Sequence, residues 1–380
     1  MRVLVAHDVP GTREGGMTRI MRFIHARLAT RGYETEYLHA EDVQGRATLR
    51  RVLFPAAVFS HVRAAAASGR RYDIVNIHEP SALVTLLRRR AAGSPRVVVT
   101  THGVEQRAWE LALEEARLGR EGPSRKTRVV YPATSLWQSR YNLRHADHVL
   151  CLNEEDREYL RTRFGVPAER TTRMVPGADS VYAQAVAGRD YSAVRRLLFA
   201  ATWRKNKGIE DLVPAVEALL DRSPELEFIV LGGGVPDEVV LSAFSARFRS
   251  RVRCERTSNE RETADAFARA DLLLLPSLFE GTPLTLMEAM MSGLPIVTTR
   301  VCGMRDVIDD GRNGLLIPIR APQAIVDAVD RLRADSSLRR ALGTAAQRDA
   351  VERYTWDRAA GRIGDAYDRL LHIQTKAAVS

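Results

Sequence analysis

The chain has 380 residues, of which 45% are hydrophobic and 27% are charged. This composition excludes a disordered, collagen-like or small disulfide-rich protein, and the length predicts about two domains. The net charge is +10, and residues 1–190 hold 30 basic against 21 acidic side chains. Such an excess would attract a nucleic acid, an anionic membrane or an acidic small substrate, although a coding bias toward arginine would also produce it.

The three cysteines, Cys151, Cys254 and Cys302, are far apart and do not have the spacing of a metal site. They predict a reducing compartment, in which cysteines serve as small apolar side chains. The first residues turn polar too soon for a signal peptide, and no apolar stretch approaches the roughly 20 residues of a spanning helix. We therefore expect a cytoplasmic protein, either soluble or peripheral at the inner face of the membrane.

Short apolar runs alternate with amphipathic stretches through the first half of the chain. Strands are predicted at Arg2–Ala6, Glu34–Leu38, Ile74–Ile77, Val97–Thr100 and Val149–Leu152. This alternation, with β-branched residues in the strands, predicts a parallel sheet that is covered by helices on both faces.

A polar stretch with glycine and proline, Val175–Arg196, interrupts the alternation and is interpreted as a linker. The alternation then restarts at Leu197 and ends in a long helical region. We predict an α/β protein with two Rossmann-like, doubly wound parallel-sheet domains that face a central cleft. The predicted segments are an acceptor-side domain at 1–185, a nucleotide-sugar-binding domain at 195–355, and a C-terminal helix at 356–380 that packs back toward the first domain.

The most informative segment is residues 276–295, in which a predicted strand ends at Pro276 and Glu280 lies in the loop that follows. Thr282 or Pro283 is a natural helix start, and a helix N-terminus presents free N–H groups that suit a phosphate. Glu288 lies in the otherwise apolar stretch Leu284–Met291, where an unpaired carboxylate is costly to bury. Each carboxylate can accept hydrogen bonds from two sugar hydroxyls, so the pair indicates a sugar-binding site. The alternative interpretation is an ordinary loop with surface glutamates.

With Glu280 and Glu288 separated by seven residues, the segment resembles the E-x7-E signature of family 4 retaining glycosyltransferases, which have the two-domain GT-B fold. Further segments follow in the order of that family across essentially the whole chain. They are Pro10–Gly16, Asp73–His78, Thr101–Gly103, Val175–Asp179, Phe199–Trp203, Lys207–Gly208 and Gly232–Gly234.

The resemblance implies a role for each matching residue. Glu280 would contact the transferred sugar, Glu288 would hold the ribose, and His102 would lie beside the sugar and its anomeric carbon. Lys207 would neutralise the diphosphate. Backbone groups near the phosphates or the sugar would come from Gly15, Gly16, Gly233, Gly281, Thr282, Pro283, Leu284 and Thr285.

Two positions depart from the family pattern. Ala201-Thr202 stands where Gly-Arg is frequent, so the second phosphate-binding cation would have to come from Arg204 or Lys205. Gly177-Ala178 replaces the usual Asn-Gly in the linker. We expect no cofactor and no essential metal ion, because the chain has no D-x-D pair that would bind one.

The resemblance implies a retaining hexosyltransferase of polysaccharide or glycolipid biosynthesis. Its partners would be a UDP-, GDP- or ADP-sugar and a carbohydrate or lipid-linked acceptor, with no nucleic acid. The alternatives are an epimerase or phosphorylase of the same fold and a non-catalytic nucleotide-sugar-binding protein. Arg46–Arg71 mixes basic and apolar residues, which predicts either a helix lying on an anionic membrane or an ordinary helix packed on the sheet.

Overall fold

A computed structural model describes residues 1–8, 16–43, 47–89, 94–186 and 188–377. The chain forms two compact units. Unit 1 comprises Met1–Val175 and Trp356–Ser380, and unit 2 comprises Pro176–Thr355. Each unit contains a six-stranded sheet, and every strand pairing is parallel. The predicted class, two doubly wound parallel sheets, is therefore confirmed.

The sheet of unit 1 has the strand order β2-β1-β3-β4-β5-β6. Its central strands are apolar and buried along their length, as expected for a sheet with helices on both faces. The strands are β1 (Arg2–His7), β2 (Glu34–His39), β3 (Ile74–His78), β4 (Arg96–Thr100), β5 (His148–Cys151) and β6 (Thr171–Arg173). The helices are α1 (Gly16–Leu28), α2 (Ala47–Ala67), α3 (Leu83–Arg88), α4 (Glu105–Arg117), α5 (Arg125–Tyr131), α6 (Trp137–His145), α7 (Glu154–Phe164) and α16 (Trp356–Ala377).

Helix α2 contains most of the segment for which membrane contact was one of two interpretations. Phe54 and Val58 on this helix are fully buried in the core of unit 1. Val52 and Leu53 are exposed instead, at 75% and 41%. The helix therefore packs on its own unit through one face and leaves apolar side chains uncovered elsewhere.

The C-terminal helix α16 packs against α1 within unit 1. The Trp356 ring stacks on Phe23 with 5.0 Å between the ring centroids. Arg31 bonds to the carboxylates of Asp365 and Asp368 at 2.8 and 2.6 Å. Apolar packing and ion pairs together hold the end of the chain on the unit that also contains its beginning.

The sheet of unit 2 has the strand order β12-β11-β10-β7-β8-β9. Its strands are β7 (Arg196–Ala200), β8 (Glu227–Leu231), β9 (Val252–Glu255), β10 (Leu272–Leu275), β11 (Ile296–Thr299) and β12 (Leu315–Ile317). The helices are α8 (Val181–Gln184), α9 (Ile209–Arg222), α10 (Asp237–Ser242), α11 (Glu260–Arg269), α12 (Leu284–Met291), α13 (Cys302–Val307), α14 (Pro322–Ala334) and α15 (Ser336–Arg353).

The boundary between the units lies between Val175 and Pro176. It falls at the start of the stretch interpreted as a linker, Val175–Arg196, and ahead of the predicted domain limits at 185 and 195. The interpreted linker is bound into unit 2 by side chains that its lack of periodicity concealed. The buried Tyr182 ring meets Phe267 edge-on, and the Tyr191 hydroxyl donates to the carbonyl of Gly293. Arg189 donates to the carbonyls that end α11 and α12, so most of this stretch belongs to the second core.

The loops that follow β7 and β10 lie against each other. The N–H of Leu278 donates to the carbonyl of Asn206 at 2.9 Å. Gly208 has a φ of +76° and approaches the backbone of Pro276 so closely that a Cβ atom would overlap its carbonyl oxygen. Glycine is required here both for its positive φ and for the space.

We predict that Gly208→Ala lowers the melting temperature by several degrees more than Gly311→Ala. Gly311 has a φ of +78° with no atom within 4 Å of an added Cβ, so both variants have similar backbone strain and only Gly208→Ala adds an overlap. Such overpacking typically costs about 1–3 kcal/mol. Circular dichroism melting of both variants tests this, and equal shifts would contradict the close approach of the two loops.

Candidate functional site

The carboxyl edge of the second sheet contains a topological switch point. The chain runs from β7 outward through β8 to β9, returns to the other side of β7 as β10, and then runs outward through β11 to β12. After the adjacent strands β7 and β10, the chain therefore continues toward opposite edges of the sheet. In open α/β sheets, ligands bind in the crevice formed at such a point.

Lys207 and Glu280 meet at this switch point as an ion pair. Lys207 ends a short 3-10 turn after β7, and Glu280 lies in the loop after β10. The Lys207 ammonium bonds to Glu280 Oε1, and the two side chains are 18% and 11% exposed. The pair holds a cation beside a hydrogen-bond acceptor, which are the groups needed for an anion that is linked to a hydroxyl-bearing ligand.

Ser277 supports this ion pair from below. Its side chain is completely buried, and its hydroxyl donates to Glu280 Oε1 at 3.0 Å. The Ser277 carbonyl in turn accepts a hydrogen bond from the hydroxyl of Thr299 at the end of β11. The carboxylate is thus anchored through two neighbouring strands. Sequence reasoning missed Ser277, although its place two residues after the end of β10 was a usable signal.

The two cations considered as replacements for the missing arginine differ in their surroundings. The Lys205 ammonium pairs with the carboxylate of Glu210 at 3.0 Å. Arg204 is exposed, and its guanidinium makes no hydrogen bond or ion pair with another residue that the structure describes. Arg204 is therefore the cation whose charge is less compensated within the protein.

Helix α12 begins at Leu284, directly after the two residues that the sequence suggested as its start, Thr282 and Pro283. Pro283 occupies the N-cap position rather than the first helical turn, and no side chain caps the helix. Thr282 instead packs against α13, where a Cβ on Gly303 would overlap its hydroxyl. The Thr285 hydroxyl donates to the carbonyl of Ala200 at 2.7 Å, which fixes this helix end against the end of β7.

Glu288, Gly233 and Gly281 are the remaining predicted site residues of unit 2. Glu288 is 5% exposed and lies on α12. The Gly233 carbonyl accepts a hydrogen bond from the N–H of Trp203 at 2.7 Å, so the loop after β8 is bound to the loop after β7. Gly281 is buried, and its carbonyl accepts a bond from the N–H of Gly303 at 2.8 Å.

The predicted residues of unit 1 have different outcomes. Gly15 lies outside the described residues, and Gly16 begins α1 as an exposed residue. His102 follows β4, and its Nε2 lies 3.0 Å from Nδ1 of His78, the last residue of β3. Burial lowers the pKa of His102 to about 4, so this imidazole is neutral at physiological pH.

Glu79 is another residue that sequence reasoning missed, and it lies at the carboxyl edge of the sheet in unit 1. It follows His78, and Ser139 donates a hydrogen bond to its carboxyl group. Burial raises the pKa of Glu79 to about 8, so the group is largely protonated at neutral pH. Its Glu-Pro context gave no sign that the carboxyl would be enclosed.

Among the residues that the structure describes, no group of three or more His, Cys, Asp or Glu side chains is arranged to hold a metal ion. Of the helices within the described ranges, none combines the length and the apolar character that crossing a bilayer requires.

Two curated relatives illustrate the sequence similarity. A D-inositol 3-phosphate glycosyltransferase of Streptomyces bingchenggensis is 30% identical over 58% of this chain and 52% of its own length. An α-D-kanosaminyltransferase of Streptomyces kanamyceticus is 26% identical over 61% of this chain and 62% of its own length. The aligned part thus spans little more than half of these relatives.

Three solved structures have the same fold. Sucrose-phosphate synthase from Thermosynechococcus elongatus has a TM-score of 0.78 at 20% identity, covering 98% of this chain and 99% of that chain. Anabaena HepE in complex with UDP has a TM-score of 0.70 at 16% identity, with coverages of 97% and 100%. The catalytic domain of starch synthase IV from Arabidopsis thaliana, bound to ADP and acarbose, has a TM-score of 0.70 at 15% identity, with coverages of 98% and 99%.

Two family models match successive parts of the chain. The model described as Glycosyltransferase Family 4 matches residues 14–181, and the model described as Glycosyl transferases group 1 matches residues 194–335. The matches correspond to the two sheets and include both Lys207 and Glu280. The chain therefore belongs to the GT-B-fold glycosyltransferases of group 1, family 4.

Proposed function

We propose that this protein is a retaining hexosyltransferase that moves a sugar from a nucleotide-diphosphate sugar to an acceptor hydroxyl. The observation that carries the proposal is the Lys207–Glu280 ion pair at the strand switch point. A sugar nucleotide joins a diphosphate to a ring of hydroxyls, and the pair offers one complementary group to each part.

The donor diphosphate is proposed to bind the cations of the β7 loop. Lys207 neutralises the charge that develops on the leaving group. The exposed Arg204 takes the place of the arginine that is frequent in the family at the position of Thr202. These cations supply the counter-charge without a metal ion or another cofactor. Fixed donors and cations at a leaving phosphate are worth about 2–4 kcal/mol each in the transition state.

The sugar and ribose are proposed to bind the β10 loop and α12. Glu280 accepts hydrogen bonds from sugar hydroxyls, and Glu288 holds the ribose. The N–H groups of Thr282, Leu284 and Thr285 take sugar and phosphate oxygens, whereas Pro283 has no N–H group to donate. The first N–H groups of a helix such as α12 have no partner within it, so they suit an anion. Gly233 lets the backbone approach the phosphates.

Unit 1 is proposed to supply the acceptor side, with His102 beside the anomeric carbon. The bond from the anomeric carbon to the phosphate oxygen breaks, and the acceptor oxygen forms the new bond on the same face. The acceptor proton passes to the leaving phosphate. A neutral His102 fits this role because it exchanges hydrogen bonds with sugar hydroxyls without adding charge.

The donor class is proposed to be a UDP-, GDP- or ADP-sugar. HepE was solved with UDP and starch synthase IV with ADP, so the shared fold accommodates both uracil and adenine nucleotides. The acceptor is proposed to be a carbohydrate, a lipid-linked glycan or a small molecule. The name of one curated relative, D-inositol 3-phosphate glycosyltransferase, contains a small molecule of this kind.

Peripheral contact with an anionic membrane is a second part of the proposal. It is supported by the basic charge of residues 1–190 and by Val52 and Leu53, which α2 leaves exposed. Basic and apolar groups together favour the surface of an anionic bilayer.

We expect Glu280→Gln to retain the fold and to lower turnover at least about tenfold, because the amide keeps the shape of the carboxylate but loses its charge-assisted bonds. Products are to be analysed with UDP-, GDP- and ADP-sugars, with and without acceptor. The control is Glu227→Gln, since this residue lies at the amino end of β8 and pairs with Arg253. Wild-type turnover in Glu280→Gln would show that Glu280 is not part of the site. Detection of an epimerised or phosphorolysed donor instead of a transferred sugar would favour the alternative activities, epimerase or phosphorylase.

We expect Lys207→Met to weaken the binding of the matching nucleoside diphosphate at least about tenfold, measured by calorimetry, because a charge-assisted contact is lost. Lys205→Met is the matched control from the same turn, because Lys205 is 49% exposed and belongs to a separate ion pair with Glu210. An unchanged dissociation constant in Lys207→Met, or an equal loss in both variants, would contradict the assigned phosphate contact.

We expect the protein to sediment with anionic vesicles and to be released as salt rises, because screening weakens surface electrostatics. Val52→Asp is expected to reduce binding, whereas Val351→Asp, at a 53% exposed valine of unit 2, is expected to leave it unchanged. Binding that is absent, or that does not respond to salt and to Val52→Asp, would reject the membrane contact.

A further inference from the structure

A row of four imidazole rings lies along the carboxyl edge of the sheet in unit 1. His39, His7 and His78 are the last residues of β2, β1 and β3, and His102 follows β4. Their ring centroids are separated by 4.4 Å from His39 to His7, 5.4 Å from His7 to His78, and 4.8 Å from His78 to His102. The parallel register produces the row, because the ends of neighbouring strands meet at one edge.

We propose that His78 is a positioning residue that fixes the orientation and the tautomer of His102. The proposal rests on the proposed function in taking His102 as the histidine beside the sugar. It follows from the 3.0 Å contact between Nδ1 of His78 and Nε2 of His102, and from the burial of His78, which is 1% exposed.

The His78 ring is confined within the row. The rings of His7 and His102 lie on either side of it, and its strand position fixes the backbone. A ring held in this way cannot turn away without moving a neighbour, since protein interiors are close-packed. His102, in contrast, belongs to a partly exposed loop and has no other side-chain hydrogen bond to a described residue. His78 is therefore the fixed member of the pair.

The number of protons links the two rings. Burial lowers the pKa of both histidines, so each ring carries one N–H at neutral pH. Only one hydrogen can occupy the bond between Nε2 of His102 and Nδ1 of His78. If His102 donates, its Nδ1 is an acceptor; if His78 donates, Nδ1 of His102 carries the hydrogen. The bond therefore decides which character Nδ1 of His102 presents to a ligand.

The expected effect on catalysis differs from that of a generic core residue. When the bond is lost, the fold around His102 is retained, but the His102 ring populates more than one orientation and more than one tautomer. Donor binding at the second sheet does not depend on this bond, so the KM for the donor should change little. The rate of the step that needs one His102 tautomer should fall, and misplacement of such a group typically costs about 10- to 100-fold.

The direct test is nitrogen NMR of the histidine side chains in the full chain, with His102→Gln used to assign the signals. In the wild type we expect a single His102 tautomer and a scalar coupling across the N–H···N bond to His78. The His78→Phe variant keeps an aromatic ring without the nitrogen, and should yield averaged His102 signals. His78→Asn, whose amide reaches the position of Nδ1, should retain one tautomer. Absence of the coupling in the wild type, or unchanged His102 signals in His78→Phe, would overturn the proposal.

The matched control is His148→Phe. His148 is also a buried β-strand histidine with a lowered pKa, and its Nε2 bonds to the Thr172 hydroxyl at 2.8 Å, but it lies at the start of β5. We expect His78→Phe to lower kcat about tenfold or more with a donor KM within about twofold of the wild type. His78→Asn should recover much of the rate, and His148→Phe should alter kcat less than about twofold.

The NMR measurement separates failure of this proposal from failure of the proposed function. If no sugar is transferred from any donor although the His102 tautomer depends on His78, the function is wrong and the positioning stands. If transfer occurs but His78→Phe and His148→Phe lower kcat equally, the effect is one of stability, and the positioning role is wrong.

Discussion

The loops after β7 and β10 place opposite charges at the switch point, where the chain continues from two adjacent strands toward opposite edges of the sheet. Lys207 and Glu280 are 73 residues apart in the chain and bond to each other because those strands pair in parallel. Gly208 permits the close approach of the loops, and Ser277 anchors the carboxylate. A partly buried pair of this kind contributes little net stability, since desolvation offsets the attraction. Its value lies in holding a cation and an acceptor ready for an anionic, hydroxyl-bearing ligand.

Much of the fold could be predicted from the sequence, because strands that are buried on both faces consist of short runs of apolar residues. Leu272–Leu275 and Val97–Thr100 are clear examples. The unit boundary was less accessible, since Tyr182, Arg189 and Tyr191 bind a non-periodic stretch to the second core through single side chains. The surroundings of Thr282 were also not accessible, since it packs against Gly303 and Pro283 occupies the N-cap position of α12.

The candidate site divides in the same way. The spacing of Glu280 and Glu288 lies within one segment and was visible in the sequence, as was the Lys207-Gly208 pair. Contacts between distant segments were not visible: Ser277 with Thr299, and His78 with His102. Each depends on strand order and register, which a single sequence does not specify. Arg204 and Lys205 look equivalent in the sequence, and only the position of Glu210 distinguishes them.

A thermal-shift titration with UDP-, GDP- and ADP-sugars tests the central claim most directly, because a ligand that binds only the native state raises the melting temperature. The account predicts that at least one donor class raises it in the wild type and that the response disappears in the Lys207→Met/Glu280→Gln double variant. No response to any donor, or the same response in the double variant, would contradict the view that these two side chains form a sugar-nucleotide site.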